Sequence, residues 1–138
     1  MATPGASETV PLRGGDDVVR ARHHVRDLAV ELGFDLVSQT RIVTATSELA
    51  RNTHLHGGGG LLTITRLSDG RRRGMRLEFT DDGPGIPDLE AAMTDGWSSA
   101  GGLGLGLGGT RRLVDRFVIE SRPGGGTRVE VEQWLRRP

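Results

Sequence analysis

The sequence predicts a two-layer α/β (α+β) sandwich, a mixed and largely antiparallel sheet with helices on one face. Three observations predict it. Between Asp16 and His56, two stretches carry apolar residues at helical spacing, each ended by glycine. Leu61–Leu67 and Met75–Thr80 alternate like strands around the turn Ser68-Asp69-Gly70-Arg71. Val118–Ser121 and Arg128–Trp134 form a second strand pair around Gly124–Gly126.

The elements follow in chain order. Residues 1–8 are small and polar and are expected as a flexible tail, with one domain over 9–138. Thr9–Arg13 reads as a short edge strand, because Pro11 cannot donate to a ladder. Asp16 and Asp17 suit the start of a helix that runs to Leu32 and ends at Gly33. Its apolar stripe is Val18, Val19, Val25, Leu28, Ala29 and Leu32. A second helix is expected over Asp35–His56, burying Leu36, Ile42, Val43, Ala45, Leu49 and Ala50 before Gly57–Gly60 breaks it. Asp88–Met93 reads as a short helix and Leu105–Phe117 as a longer one. No repeat or linker divides the chain.

Composition narrows the function classes. At 138 residues the chain is long enough to bury its own core. Eighteen basic residues balance eighteen acids, so the summed charge predicts no nucleic-acid partner. No run approaches the ~18 apolar residues of a membrane span, and the first fifteen residues lack the apolar core of a secretory signal. With no cysteine, disulfides, thiolate metal sites and cysteine nucleophiles are excluded, and a cytoplasmic location is expected. All eighteen basic residues are arginine. A Walker A loop and the common protein-kinase fold both need a lysine on the phosphates, so neither can be built here.

Four short stretches carry the chemistry. In Ser47-Glu48-Leu49-Ala50-Arg51-Asn52, Glu48 and Asn52 stand four apart and project from one helix face. A carboxylate there can orient or deprotonate a hydroxyl, and an amide oxygen is a natural ligand for magnesium. Taken alone, the pair reads first as the polar face of a helix. In Asp81-Asp82-Gly83-Pro84-Gly85 a carboxylate follows an apolar strand directly, placed to accept from an exocyclic amine such as that of adenine. Gly83 and Gly85 let a flat ring approach the backbone, although the same residues also make a plain turn. Asp82 reads as a solvated neighbour.

Gly101–Gly109 holds six glycines in nine residues and opens a helix, a setting that suits phosphates. Its alternating Leu103, Leu105 and Leu107 anchor the loop while Gly102, Gly104 and Gly106 remain free for a ligand. Gly104, Gly106 and Gly109 also satisfy GxGxxG, but no strand immediately precedes and no second crossover can follow, which rejects a dinucleotide fold. In Gly124-Gly125-Gly126-Thr127 the threonine offers a hydroxyl at the base end, or simply closes a hairpin. His23, His24, His54 and His56 read as solvated helix residues, and Arg71–Arg73 as a solvated hairpin cap. Ser98 and Ser99, beside Trp97, fall where a lid would cover the site.

In order and spacing these stretches resemble the N, G1, G2 and G3 boxes of the GHKL (Bergerat-fold) ATP-binding superfamily, over about Asp35–Trp134. Without a dimerisation or phosphohistidine domain, the chain is similar to the stand-alone serine/threonine kinases of bacterial partner-switching systems. Thr44–Asn52 and Asp81–Leu107 are closest to the RsbT-type stressosome switch kinases, with anti-sigma kinases of RsbW and SpoIIAB type next. The resemblance implies ATP and Mg2+ as cofactors. It makes Glu48 the catalytic base or orienter, Asn52 the magnesium ligand and Asp81 the partner of the adenine amine. Gly83 and Gly85 would shape the pocket, Gly102, Gly104 and Gly106 would cradle the phosphates, and Thr127 would close the base site. It implies a STAS-domain antagonist as substrate and a PP2C-type phosphatase as a further partner. Two alternatives stand beside this: an anti-sigma factor that sequesters a sigma factor, and a nucleotide-binding switch with negligible kinase activity. Where many members place a lysine near the phosphates, only arginines such as Arg51 or Arg111 can serve here.

Overall fold

A computed structural model of the protein describes residues 2–93 and 106–136. Strand β1 (Thr3–Leu12) leads into helices α1 (Gly15–Leu32) and α2 (Leu36–Leu55). Strands β2 (Gly60–Ser68) and β3 (Arg73–Asp81) form a hairpin, followed by short helices α3 (Leu89–Met93) and α4 (Gly106–Arg111). The hairpin of β4 (Arg116–Arg122) and β5 (Gly126–Trp134) completes the order. The sheet runs β1-β2-β3-β5-β4, with every neighbouring pair antiparallel. Helices α1 and α2 cover one face, so the α+β sandwich is as expected. The parallel pairing that a mixed sheet allows does not occur among the described residues.

Local chemistry sets the helix ends. Asp17 accepts from Arg13 N–H at 2.9 Å and Gly14 N–H at 3.2 Å, so α1 starts one residue before Asp16. Gly33 ends α1 in the left-handed region at φ 92°, where a side chain would be strained, and Phe34 N–H closes the turn on Ala29 O. Asp35 caps α2 by accepting from Ser38 N–H at 2.7 Å. Those backbone donors hold the Asp35 and Asp17 carboxyls below the usual aspartate value of 3.8. A carboxyl so lowered stabilises the fold above that value and loses its contribution as pH falls through the native one.

The core forms where the helical stripes meet the inner sheet face. Val25, Leu28, Ala29 and Leu32 of α1 and Ile42 and Leu49 of α2 pack with Leu62, Ile64, Leu77 and Phe79. Two residues expected on the stripes are not buried. Val19 is 47% exposed, because it lies one position off the Val18–Ala21–Val25 line. Leu36 is 75% exposed at the first residue of α2. The outer sheet face carries charge instead. Arg76 reaches Glu132 at 3.0 Å, and Arg128 bridges Glu78, Glu120 and Glu130 across three strands. Such a network joins the strands sideways, where an isolated exposed pair adds little.

Two element boundaries differ from expectation. Strand β1 begins at Thr3, with Thr3, Pro4, Ser7 and Glu8 paired to β2, so the expected tail supplies backbone to the sheet edge. Only Val10 and Leu12 of this strand are buried, which is why its first half shows no apolar alternation. Helix α4 stops at Arg111 rather than Phe117. Arg112 and Leu113 N–H close tight turns on Gly109 and Thr110, and Phe117, Val118 and Ile119 pair with β5. That run of β-branched and aromatic residues packs better on a pleated sheet than in a helix. Leu105, the expected first residue of this helix, lies outside the described residues.

Candidate functional site

One end of the sheet gathers the candidates. There β3 ends at Asp81, β2 begins at Gly60 and β5 begins at Gly126, beneath the C-terminal half of α2. The space between is a cavity of about 170 Å³. Leu49, Phe79, Ile119 and Val129 give it apolar walls, and Asn52, Asp81 and Thr127 bring polar groups into it. An apolar slot with a few convergent polar groups is how proteins bind small planar ligands. A larger groove of about 340 Å³ lies between β1 and α1, but it contains none of the candidates. Within it Arg66 pairs with Glu31, and His24 Nδ1 lies 3.4 Å from Glu8.

Asp81 is fixed at the cavity floor. Its Oδ1 accepts from Gly83 N–H at 2.9 Å and from Thr127 N–H at 3.3 Å. Among the described residues, Oδ2 receives no hydrogen bond and remains open to a ligand. Asp82 is exposed, as expected. Three glycines make room for the carboxylate and its loop. A Cβ on Gly57 would stand 2.3 Å from Asp81 Cγ, and one on Gly83 would stand 2.7 Å from the Gly57 backbone. At Gly126, φ is 84° and a Cβ would meet Asp81 O at 2.1 Å. Gly85 lines the cavity at φ 78°. The turn glycines are therefore needed where they stand.

Glu48 and Asn52 sit one turn apart on α2. Asn52 lines the cavity, whereas Glu48 lies outside its lining. The Glu48 side chain is 15% exposed and stands 3.9 Å from Arg51 Nη1. Gly106 opens α4 at φ 72°, buried, and its carbonyl accepts from the Thr110 hydroxyl at 2.7 Å. Leu107 reaches the cavity wall. Gly102, Gly104, Trp97, Ser98 and Ser99 lie outside the described residues.

Sequence reasoning passed over two residues. Gly57 reads only as a helix breaker, yet it is the floor against which Asp81 folds. Ser121, inside β4, accepts from Ile86 N–H at 2.7 Å and lies 2.9 Å from Thr127 Oγ1. Nothing in a strand sequence marks such a serine.

Gly57→Ala is expected to cost about 1–3 kcal/mol of stability by overpacking against Asp81. Gly15→Ala, with nothing within 4 Å, should cost nothing. Urea unfolding of both variants measures the difference.

The donor set fits a nucleotide with its metal. A carboxylate with one free oxygen and a neighbouring hydroxyl can read a base edge, and a single amide oxygen at the mouth suits an ion that keeps water and phosphates as its other ligands. No cluster of three His, Asp or Glu occurs among the described residues. Any ion bound here would therefore need ligands beyond such a cluster, from water or the phosphates.

Comparison with known proteins places the chain among its relatives. The family model described as "Histidine kinase-, DNA gyrase B-, and HSP90-like ATPase" matches residues 37–137. The serine/threonine-protein kinase RsbT of Bacillus subtilis is 48% identical over 120 residues, covering 87% of this chain and 90% of that protein. An anti-sigma F factor of a Thermoanaerobacter species is 30% identical over 83% of each chain. A solved structure of the RsbU and RsbW domains of a Mycobacterium tuberculosis protein superposes with a TM-score of 0.65 at 21% identity. It covers 99% of this chain and 34% of that one, and the likeness is one of fold.

Proposed function

The chain belongs to the family of histidine kinase-, DNA gyrase B- and HSP90-like ATPases, and from that membership we propose a serine/threonine protein kinase that uses ATP and magnesium as a partner-switching regulator. The observation that carries this reading is the near full-length relation to a serine/threonine kinase of the same size. The site geometry supports it. Asp81, held by two backbone N–H groups, offers Oδ2 to an exocyclic amine. Asn52 offers its amide oxygen to magnesium at the cavity mouth. When bound, the metal neutralises charge on the phosphates. Gly106, with Gly102 and Gly104, is assigned to the phosphates, and Gly83, Gly85 and Thr127 to the base end. Glu48, one turn before Asn52, orients the acceptor hydroxyl or takes its proton. Phosphoryl transfer needs little covalent help from protein, so positioning and charge suffice.

The substrate in this reading is a STAS-domain antagonist, with a PP2C-type phosphatase as a further partner and the cytoplasm as the location. No helix among the described residues is long and apolar enough to cross a membrane. The test is phosphate transfer from ATP and magnesium to a STAS-domain protein of the same genome. Transfer to one serine or threonine is expected. Tight nucleotide binding without transfer, together with retention of a sigma factor in a pull-down, would favour the second reading. That reading, an anti-sigma factor, is supported by the anti-sigma F relatives.

A further inference from the structure

We propose that one stripe of α2 docks the protein acceptor, and that Arg41 recognises an acidic group on it about 10 Å from the hydroxyl that receives phosphate. The inference rests on the kinase reading of the site and adds where its substrate is held. At about 3.6 residues per turn, Val37, Arg41, Thr44 and Glu48 fall within roughly 60° of one another around the helix axis. Helix rise sets Arg41 about 10 Å and Val37 about 16 Å from Glu48 along that axis. The other side of α2, with Ile42, Ala45, Leu49 and Ala50, is buried in the core. Arg41 is exposed, Val37 is 66% exposed, and Leu36 stands equally bare beside it.

Exposed apolar residues occur singly on most proteins, so Leu36 and Val37 alone would mark nothing. Arg41 gives the stripe its meaning. From Leu36 to Ser47 the helix carries no acid. On the neighbouring α1, Asp27 and Glu31 line the groove toward β1, where Glu31 pairs with Arg66. Among the described residues Arg41 has neither an ion pair nor a hydrogen bond. An uncompensated guanidinium beside exposed apolar side chains complements a carboxylate next to an apolar residue. The occupant follows from Glu48. It lies outside the lining of the base cavity, so an acceptor hydroxyl reaches it from over α2. A standard interface takes about 800 Å² of each partner, a patch roughly 30 Å across, and one centred on Glu48 extends to Val37. A lipid surface fits less well, since the stripe has one cation and no aromatic residue.

The test is phosphate transfer to the STAS-domain protein of the same genome by wild type, Arg41→Glu, Arg41→Lys and Val37→Ser. The exposed Arg71→Glu in the β2–β3 turn is the charge-matched control. Arg41→Glu is expected to raise KM for the acceptor about tenfold or more, while kcat and ADP affinity stay within about twofold. Arg41→Lys keeps the charge and should stay within about threefold, and Val37→Ser should raise KM about fivefold. Wild-type KM should climb with ionic strength, and Arg41→Glu should flatten that climb, which a merely structural role would not do. An unchanged KM in Arg41→Glu, with transfer intact, overturns the docking surface and leaves the kinase reading standing. Calorimetry of the two proteins without turnover covers the converse. Binding that Arg41→Glu weakens about tenfold, with no transfer by wild type, keeps the surface and overturns the kinase reading. Self-association of the chain that Arg41→Glu abolishes would assign the stripe to a second copy and overturn the proposal.

Discussion

Asp81→Asn is expected to weaken nucleotide binding by two orders of magnitude or more while leaving the fold standing. The reason lies in the two oxygens of one carboxylate. Oδ1 is occupied by Gly83 and Thr127 N–H groups, and Oδ2 accepts no hydrogen bond among the described residues. Asparagine keeps the shape but makes one of the two atoms a donor. If the amide nitrogen faces the cavity, it meets the exocyclic amine donor to donor. If it turns inward, it meets two backbone donors and strains the Asp81–Gly83 turn. Either orientation loses a charge-assisted hydrogen bond, about 1.5–3 kcal/mol, and leaves a donor unpaired, about 1–3 kcal/mol more. At about 1.4 kcal/mol per tenfold, affinity falls roughly 10²–10⁴-fold. Calorimetry with ADP and magnesium measures it, with the exposed Asp82→Asn as the neutral control. An affinity within threefold of wild type would remove Asp81 from the base contact.

Much of this arrangement was legible in the chain because it is local. Asp35 and Gly33 bound their helices through contacts within a few residues, and the β2–β3 turn is written in Ser68–Arg71. The box residues were visible for the same reason, since an acid followed by spaced glycines is a short-range pattern. What escaped depends on distant partners. Thr3–Glu8 joins the sheet through backbone pairing to residues some sixty positions on, with side chains left exposed, so no apolar alternation marks it. Leu113–Phe117 carries no strong period of its own, and pairing with β5 decides where the helix stops. Gly57 is indispensable only because Asp81 arrives from another element, and Ser121 gains its role only when Ile86 and Thr127 meet it. Sequence thus pointed to the candidate groups for the chemistry, while the groups that hold them in place required the fold.

Glu48→Gln is expected to separate chemistry from binding. Glu48 stands one turn before Asn52 but outside the cavity proposed for the base, so its loss should leave ADP affinity within about twofold. Its only charged neighbour among the described residues is Arg51 at 3.9 Å, a partly exposed pair three residues apart, so unfolding should shift by less than about 0.5 kcal/mol. The rate of phosphate transfer is another matter. Glutamine keeps an oxygen that can accept from the attacking hydroxyl but cannot take its proton. If Glu48 is the general base, turnover should fall about 10²–10⁴-fold. If it only orients the hydroxyl, the amide retains much of that function and the loss should stay near tenfold. Single-turnover transfer, with nucleotide and protein acceptor both saturating, reads the chemical step directly. An unchanged rate would exclude Glu48 from the reacting centre. The same measurement on Arg51→Ala bears on how a chain without lysine manages phosphate charge. If Arg51 only neutralises Glu48, that variant should leave transfer nearly intact. If the guanidinium turns to the phosphates once nucleotide binds, transfer should fall together with nucleotide affinity, a pattern that losing the Glu48 carboxylate cannot produce.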